Sequence, residues 1–258
     1  MAKSPTQNVR FWTLKRITGE TSGKKMIASK FSRRNILKSI SITAASVIGV
    51  SATGPTMAVL LEATPFQPAG PFYHPYEPLS VDNDLLYNLD PQSRANGEII
   101  YIRGRLIDQT GKPIKDARIE IWQANAYGRY NHPLQKNSKR PIDPNFLGFG
   151  HTLTGPGGHY RFRSIKPAPY PDSSKWIRPP HIHFAVITKD GTLWSTQMYF
   201  EGEELNKHDL LLNNLPSKAA RERVIVNFHS NENAPNKNAK LGEFDIVLGM
   251  PGVTPNKA

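Results

Sequence analysis

The stretch that decides the fold reads Arg178-Pro179-Pro180-His181-Ile182-His183-Phe184 and continues as Ala185-Val186-Ile187-Thr188. β-Branched and aromatic residues dominate its second half, so it predicts a β-strand. Because alternate residues of a strand point to the same face, we expect His181 and His183 to project side by side. Neutral imidazole is the commonest metal ligand in proteins, and the pair is therefore a candidate half of a metal site.

Short strands separated by Gly and Pro turns flank this stretch on both sides. The predicted strands are Glu98–Ile107, Ala117–Trp122, His159–Arg163, His181–Thr188, Trp194–Phe200 and Phe244–Leu248. A single helix-like run, Ser217–Val224, follows Pro216, and a long loop covers Asn131–Gly150. The pattern predicts an all-β fold, an antiparallel β-sandwich whose long loops carry the metal site.

The N-terminal region is predicted to be a targeting segment. Ser32-Arg33-Arg34-Asn35-Ile36-Leu37-Lys38 is similar to a twin-arginine export motif, and Thr56-Met57-Ala58 offers a small-residue cleavage site. We therefore expect residues 1–58 to be an export leader handled by the twin-arginine machinery, which places the protein in the periplasm or outside the cell. Residues 59–96 are Pro-rich and predict an arm suited to wrapping a neighbouring subunit, and residues 97–258 form the sandwich domain.

The basic composition of the chain belongs mostly to this leader. The formal net charge of +12 would suit a nucleic-acid partner. However, the first 58 residues contain ten of the 33 Lys and Arg residues and one of the 21 acidic residues, which leaves 23 and 20 in the remainder. We therefore predict no nucleic-acid partner. Because the chain has no cysteine, disulfides, thiolate metal sites and cysteine nucleophiles are excluded.

Two tyrosines lie in distinctive motifs before the histidine pair. Tyr130 ends the run Trp122-Gln123-Ala124-Asn125-Ala126-Tyr127-Gly128-Arg129-Tyr130, and Tyr170 lies in Lys166-Pro167-Ala168-Pro169-Tyr170-Pro171. Together with Asp143-Pro144-Asn145-Phe146, the histidine motif and a Q-x-Y-F-E-G motif that begins at Gln197, they occur in a fixed order. This order resembles the intradiol ring-cleavage dioxygenases over roughly Thr64 to Gly249. Within them it is most similar to the protocatechuate 3,4-dioxygenase type, and above all to its iron-binding β subunit.

The resemblance implies a non-haem Fe(III) bound by Tyr130, Tyr170, His181 and His183. Phenolate oxygen is a hard anionic donor, which suits Fe(III). It further implies that Tyr170 leaves the iron when a catechol binds and takes up one of its protons, which is general-base catalysis. The expected reaction is cleavage of the ring by O2 between the two hydroxylated carbons. The first expected substrate is protocatechuate, which would give 3-carboxy-cis,cis-muconate.

Three more residues are implied to act near the iron. Arg178 is expected to lie close to the substrate, where a fixed cation stabilises negative charge on the ring; the alternative is a surface salt bridge. Gln197 is expected to hydrogen-bond near the iron, or else to be a polar residue of a strand pair. Tyr73, in Gly70-Pro71-Phe72-Tyr73, is expected to line the entrance and bind substrate, or else to be a packed aromatic.

One departure from the family pattern leaves the substrate open. Family members often have Trp two residues after the second tyrosine, where this chain has Asp172. Cleavage of catechol or of hydroxyquinol therefore remains an alternative reaction. Two other classes of protein are also considered: a non-catalytic β-sandwich binding module, and an exported zinc hydrolase. The tyrosine pair disfavours the zinc hydrolase. We expect either a homo-oligomer or a hetero-oligomer with an α-type chain that supplies part of the pocket.

Overall fold

The structure, a computed structural model, describes residues 60–73, 83–86, 94–173, 176–230, 236 and 238–249. These residues all belong to the second of two compact units, which spans Ala58–Ala258. The predicted leader, residues 1–58, lies outside the described residues, as does part of the arm. Within the described ranges no helix is both long and apolar enough to cross a membrane.

Twelve strands and two short α-helices make up the described domain. In chain order the strands are β1 (Ile99–Asp108), β2 (Arg118–Trp122), β3 (Phe149–Leu153), β4 (His159–Ile165), β5 (Tyr170–Ser173), β6 (Trp176–Arg178), β7 (His181–Ile187), β8 (Leu193–Phe200), β9 (Ile225–Val226), β10 (Phe228–Ser230), β11 (Lys240–Glu243) and β12 (Ile246–Leu248). The helices are α1 (Leu210–Asn213) and α2 (Lys218–Glu222), and two 3-10 helices span Pro133–Gln135 and Glu204–His208.

The strands form two five-stranded sheets and one separate hairpin. In the first sheet β4 pairs antiparallel with one edge of β1, β11 and β12 pair in parallel with its other edge, and β10 pairs with β11. The second sheet has the order β3-β2-β7-β8-β9, and β5 pairs only with β6. The histidine strand β7 is therefore the central strand of the second sheet.

The two faces of the second sheet have different roles. Its inner face packs alternate residues such as Ile121 and Phe184 into a buried core that also contains Ile102 and Phe162 of the first sheet. Its outer face carries the cross-strand row Trp122–His183–Gln197. Because side chains alternate between faces, the same strands that build the core also carry the candidate site.

An all-β fold is confirmed, and each of the six predicted strands is present within a few residues of its predicted bounds. The sandwich is not purely antiparallel, however, because β11 and β12 run parallel to β1 and β9 runs parallel to β8. Parallel neighbours need a crossover connection, which α1 and α2 provide between β8 and β9. The helix-like run is confirmed as α2, whose first turn is capped by the side chain of Ser217 accepting from the Ala220 amide at 3.0 Å.

The described part of the arm packs against β8 of the same chain. The Gln67 amide donates to the Ser195 carbonyl at 3.0 Å, and the Ser195 hydroxyl donates back to the Gln67 carbonyl at 2.7 Å. The hydroxyl of Thr196 donates to the Pro65 carbonyl at 2.7 Å. β9 pairs with this edge of β8 only at Tyr199 and Phe200, and the bonds to the arm cover the part of the edge that precedes them. They bring residues 70–73 across the outer face of the sheet.

Candidate metal centre

The two histidines are held rigidly on the central strand. Both side chains are buried, with 2 % of His181 and 3 % of His183 exposed. Nδ1 of His181 lies 2.7 Å from the Pro179 carbonyl, so this nitrogen carries the proton and Nε2 presents a lone pair. The Trp122 ring stacks on His183 at 4.9 Å and fixes its plane. Burial lowers the pKa of both imidazoles well below its usual value, and the Arg178 cation lowers it further, which keeps them neutral.

Tyr130 is presented by a loop that its own motif holds in place. The Asn125 side-chain oxygen accepts from the backbone amides of Tyr127 and Arg129 at 2.9 and 3.0 Å. The Arg129 guanidinium donates to backbone carbonyls further along the same loop. With the loop fixed in this way, the Tyr130 hydroxyl lies 3.4 Å from Nε2 of His181.

Tyr170 reaches the same point from the separate β5–β6 hairpin. Its hydroxyl lies 3.5 Å from Nε2 of His181, and its ring meets that of Tyr130 edge-on at 5.4 Å. The backbone beside it packs against Gly128, which adopts a φ of +72°; a Cβ there would lie 2.5 Å from the Pro169 carbonyl oxygen. A glycine is therefore required where the two tyrosine segments meet.

The structure brings together all four residues that the sequence predicted as iron ligands. The two phenol oxygens lie 3.4 and 3.5 Å from Nε2 of His181, so three candidate donor atoms converge on one point. Nδ1 of His183 is buried without a hydrogen-bond partner among the described residues, so the protein leaves this ring nitrogen unsatisfied. The described residues contain no group of three or more His, Cys, Asp or Glu side chains that could hold a metal, so the tyrosines are needed to complete this donor set.

Burial also governs the two phenols. It raises the pKa of Tyr130 well above its usual value, and the adjacent Tyr170 raises it further. Burial likewise raises the pKa of Tyr170, although the Arg178 cation opposes this shift. The Phe72 ring stacks on Tyr130 at 4.3 Å and shields it. Ionising these phenols therefore requires a compensating cation, and a bound Fe(III) would provide one.

Arg178 is not a surface salt bridge, because 3 % of it is exposed. Its Nε donates to Asp209 at 2.7 Å, and one terminal nitrogen donates to Gln197 at 2.6 Å and to the Tyr199 hydroxyl at 3.3 Å. The Gln197 amide nitrogen donates to the Pro68 carbonyl of the arm at 3.1 Å. Arg178 and Gln197 therefore form a single buried polar network beside the histidines.

Tyr73 packs within the site instead of presenting a free hydroxyl. Its ring lies 4.7 Å from that of Trp122, which in turn stacks on His183. Its hydroxyl donates at 2.8 Å to the buried carboxylate of Glu120, which also pairs with Arg118 at 2.6 Å. Burial raises the pKa of Tyr73, and the bond to Glu120 raises it further. In this arrangement Tyr73 supports the His183 side of the site.

Asp172, at the position of the expected aromatic residue, is exposed. Trp176 lies on the neighbouring strand of the same hairpin, and its ring centre is 5.1 Å from the Arg178 guanidinium carbon. A cavity of about 250 Å³ lies elsewhere and is lined by residues such as Lys166, Phe200 and Phe228. The four candidate ligands of the site are all buried.

Several residues of the site were missed by sequence reasoning. Tyr199 follows Gln197 by two positions on the same strand, so the alternation of β8 was a usable signal. Gln67 joins the network through its side chain, which accepts from the Tyr199 hydroxyl at 2.8 Å. Asp209 and Glu120 gave no usable signal, because a buried carboxylate looks like an exposed one in sequence.

Comparison with known proteins identifies the class. A family model described as Dioxygenase matches residues 69–250. The chain is 41 % identical over 179 residues to a protocatechuate 3,4-dioxygenase beta chain of Burkholderia cepacia, which covers 68 % of this chain and 74 % of that one. It is 30 % identical over 203 residues to a catechol 1,2-dioxygenase of Acinetobacter baylyi, with 70 % and 59 % covered. The crystal structure of a 3-chlorocatechol 1,2-dioxygenase from Rhodococcus opacus superposes with a TM-score of 0.58 at 24 % identity, covering 74 % and 75 %, and shows the shared fold.

The chain therefore belongs to the intradiol ring-cleavage dioxygenase family and is of the protocatechuate 3,4-dioxygenase β-chain type. It is an intradiol dioxygenase. Members of this family use a non-haem Fe(III), and the donor set described above fits such an ion.

Proposed function

We propose that this chain uses Fe(III) to cleave protocatechuate with O2, giving 3-carboxy-cis,cis-muconate. The observation that carries the proposal is the convergence of the Tyr130 and Tyr170 hydroxyls on His181, beside His183, in a buried cluster. The identity to a protocatechuate 3,4-dioxygenase beta chain supports this substrate. Catechol and hydroxyquinol are the second candidates, because the exposed Asp172 replaces an aromatic wall and dioxygenases for both substrates are among the relatives.

Each residue has a role that its position supports. Tyr130, Tyr170, His181 and His183 would hold the Fe(III), and the ion would supply a Lewis-acidic centre for the catechol. His181 and His183 keep their orientation because β7 is paired on both sides. Tyr130 keeps its position because its loop is pinned. Tyr170 lies on a hairpin outside the main sheets, so its phenolate oxygen is the one placed to swing away and hold a substrate proton.

The buried network supplies charge without supplying water. The Arg178 cation is fixed in a site with little solvent, where it stabilises negative charge on the bound ring more strongly than an exposed arginine would. Phe72 and Trp122 cover Tyr130 and His183 and exclude water from them. We assign Gln197 to orienting the guanidinium, and Tyr73 to supporting the His183 side of the site through its packing on Trp122.

The first experiment is a visible spectrum of the purified protein before and after adding protocatechuate under air. We expect a broad red-brown tyrosinate–Fe(III) band that shifts with substrate, together with oxygen uptake. Colour without a response to protocatechuate would direct the search to catechol, hydroxyquinol or a missing α-type chain. A protein that stays colourless after iron reconstitution would overturn the proposal and favour a non-catalytic binding module.

A matched pair of tyrosine variants tests the ligand assignment. Tyr130→Phe is expected to remove much of the colour from the iron-loaded protein. Tyr160→Phe is the control, because Tyr160 is equally buried but donates to the Phe244 carbonyl away from the site, and it should leave the band unchanged. Equal spectra for the two variants would remove Tyr130 from the ligand set.

We also propose export by the twin-arginine route and assembly either as a homo-oligomer or with an α-type chain. The Ser32–Lys38 motif supports export, and the 27 % identity over 175 residues to a protocatechuate 3,4-dioxygenase alpha chain of Pseudomonas putida supports partnership within this family. Replacing Arg33 and Arg34 with Lys should retain the protein in the cytoplasm. Normal export of this variant would point to another route.

A further inference from the structure

The Arg178–Asp209 pair is enclosed more completely than any other ion pair among the described residues. The side chains are 4 % and 0 % exposed, and Nε of the guanidinium lies 2.7 Å from Oδ2 of the carboxylate. A buried charge is tolerated only when it is paired and hydrogen-bonded, so neither partner can be released from the other without a large cost. Arg178 is therefore held in one orientation as long as Asp209 is in place.

Asp209 is itself anchored to the backbone. Its other oxygen, Oδ1, accepts from the Leu212 amide at 2.8 Å and caps the N-terminus of α1. The Tyr199 hydroxyl lies 3.4 Å from the same oxygen. The helix thus fixes one oxygen of the Asp209 carboxylate, and the other oxygen accepts from the guanidinium of Arg178. This arrangement suits a residue whose role is to position Arg178.

The remaining contacts of Arg178 restrict it in the other directions. One terminal nitrogen donates to Gln197, which pairs directly with His183 across β7 and β8. The Trp176 ring covers the guanidinium on one side. Arg178 is also three residues before His181 in the chain. The Arg178 cation also lowers the pKa of His181 and of His183, so in the orientation set by Asp209 it lies near these candidate iron ligands.

We propose that Asp209 is a positioning residue for ring cleavage, which acts by holding the Arg178 guanidinium against the substrate site. This inference rests on the proposed function of the site. It assigns Asp209 no contact with substrate or iron; its effect passes through Arg178. Without the carboxylate, the guanidinium turns towards other acceptors and its charge no longer lies where negative charge develops on the ring.

The diagnostic variant is Asp209→Asn, because an asparagine oxygen still accepts from the Leu212 amide and preserves the cap of α1. We expect an iron content close to that of the wild-type protein and a lower unfolding midpoint, because the buried Arg178 cation loses its carboxylate partner. We expect kcat to fall by about 10- to 100-fold with a smaller change in KM, as is typical when a group is displaced by an ångström or so. Asp209→Glu keeps the charge, is expected to fold, and should also lower kcat because the carboxylate is moved by one methylene.

Asp84→Asn is the matched control. Asp84 also pairs with an arginine, Arg163 at 2.9 Å, and also accepts from a backbone amide, that of Leu86 at 3.0 Å, but it lies on the first sheet. This variant should leave kcat unchanged. An equal fall in kcat for the Asp84 and Asp209 variants would show a general stability effect and overturn the proposal.

Two further readouts separate positioning from other effects. In the Arg178→Lys background, Asp209→Asn should have little further effect on kcat/KM; full additivity would overturn the proposal. In the iron-free, 15N-arginine-labelled protein, the slowly exchanging Nε–H signal of Arg178 should be lost in Asp209→Asn and kept in Asp84→Asn. Retention of that signal in Asp209→Asn would overturn the positioning role. Absence of iron binding or of catechol cleavage in the wild-type protein would be a different result, which would contradict the proposed function and leave this NMR test valid.

Discussion

Gly128→Ala tests whether the junction of the two tyrosine segments sets the geometry of the site. At this position the backbone has a φ of +72°, a left-handed conformation that L-residues adopt at a cost. The added Cβ would lie 2.5 Å from the Pro169 carbonyl oxygen and 3.2 Å from Cβ of Tyr170. Backbone oxygen has no rotamer by which to withdraw, so the segment that carries Tyr170 must move.

The size of the effect follows from two additive costs. The left-handed backbone costs roughly 1–2 kcal/mol for alanine, and forcing an extra methyl group into a packed site typically costs about 1–3 kcal/mol. The structure offers a control for the first cost alone: Gly191 has a φ of +82° and nothing within 4 Å of an added Cβ. We therefore expect Gly128→Ala to lower the free energy of unfolding by about 1–3 kcal/mol more than Gly191→Ala does.

The assay is urea unfolding of both iron-free variants, followed by the visible spectrum after iron loading. Gly128→Ala should unfold at the lower urea concentration and should show a shifted or weakened tyrosinate band, because Tyr170 is displaced. Gly191→Ala should keep the wild-type band. Equal stabilities together with equal spectra would refute the argument that close packing at Gly128 positions Tyr170.

Three other perturbations test the arm that packs over the site and the set of candidate iron ligands. Removing residues 1–58 should leave the iron-dependent colour intact, whereas removing residues 1–73 should abolish it. The second truncation deletes the segment that is hydrogen-bonded to β8, together with the aromatic rings that pack over the site. Equal colour in the two truncated proteins would contradict this expectation. Tyr73→Phe should lower the free energy of unfolding by about 1.5–3 kcal/mol, since a buried carboxylate loses a donor, and an unchanged urea midpoint would count against it. Fe(III) at about 100 times its dissociation constant should stabilise the wild-type protein against unfolding by about 2.7 kcal/mol, and a chelator should reverse this gain. In a thermal melt, His181→Ala should show no stabilisation by Fe(III).

The sheet strands were predictable where their side chains alternate. Ala117–Trp122 and His181–Thr188 have one apolar face towards the core, and this period is visible in the sequence. The β5–β6 hairpin was missed because Tyr170–Ser173 contains a proline and no apolar alternation. The parallel neighbours of β1 were also missed, because β11 and β12 lie more than 130 residues further along the chain and their pairing depends on topology instead of local pattern.

The candidate ligands were predictable because each lies in a motif whose neighbours serve to hold it. Asn125 and Gly128, for example, fix the loop and the close contact that Tyr130 and Tyr170 require. The buried partners of Arg178 and Tyr73 were not predictable. In sequence, Asp209 looks like the N-cap residue of a helix, and only the fold brings its carboxylate into contact with Arg178.

The position of the site on the outer face of a sheet separates two functions of the chain. The core-facing side chains of β2, β7 and β8 stabilise the fold, while the opposite side chains of the same strands carry the candidate ligand His183 and the support residue Gln197. Burial on this face comes from the arm and the β5–β6 hairpin, which are bound by fewer strand pairings than β7. We expect substrate entry to move this cover, which consists of the arm and the hairpin, and to leave the core undisturbed. Selectivity for the ring substituent is then expected to depend on the cover, which is where Asp172 departs from the family pattern.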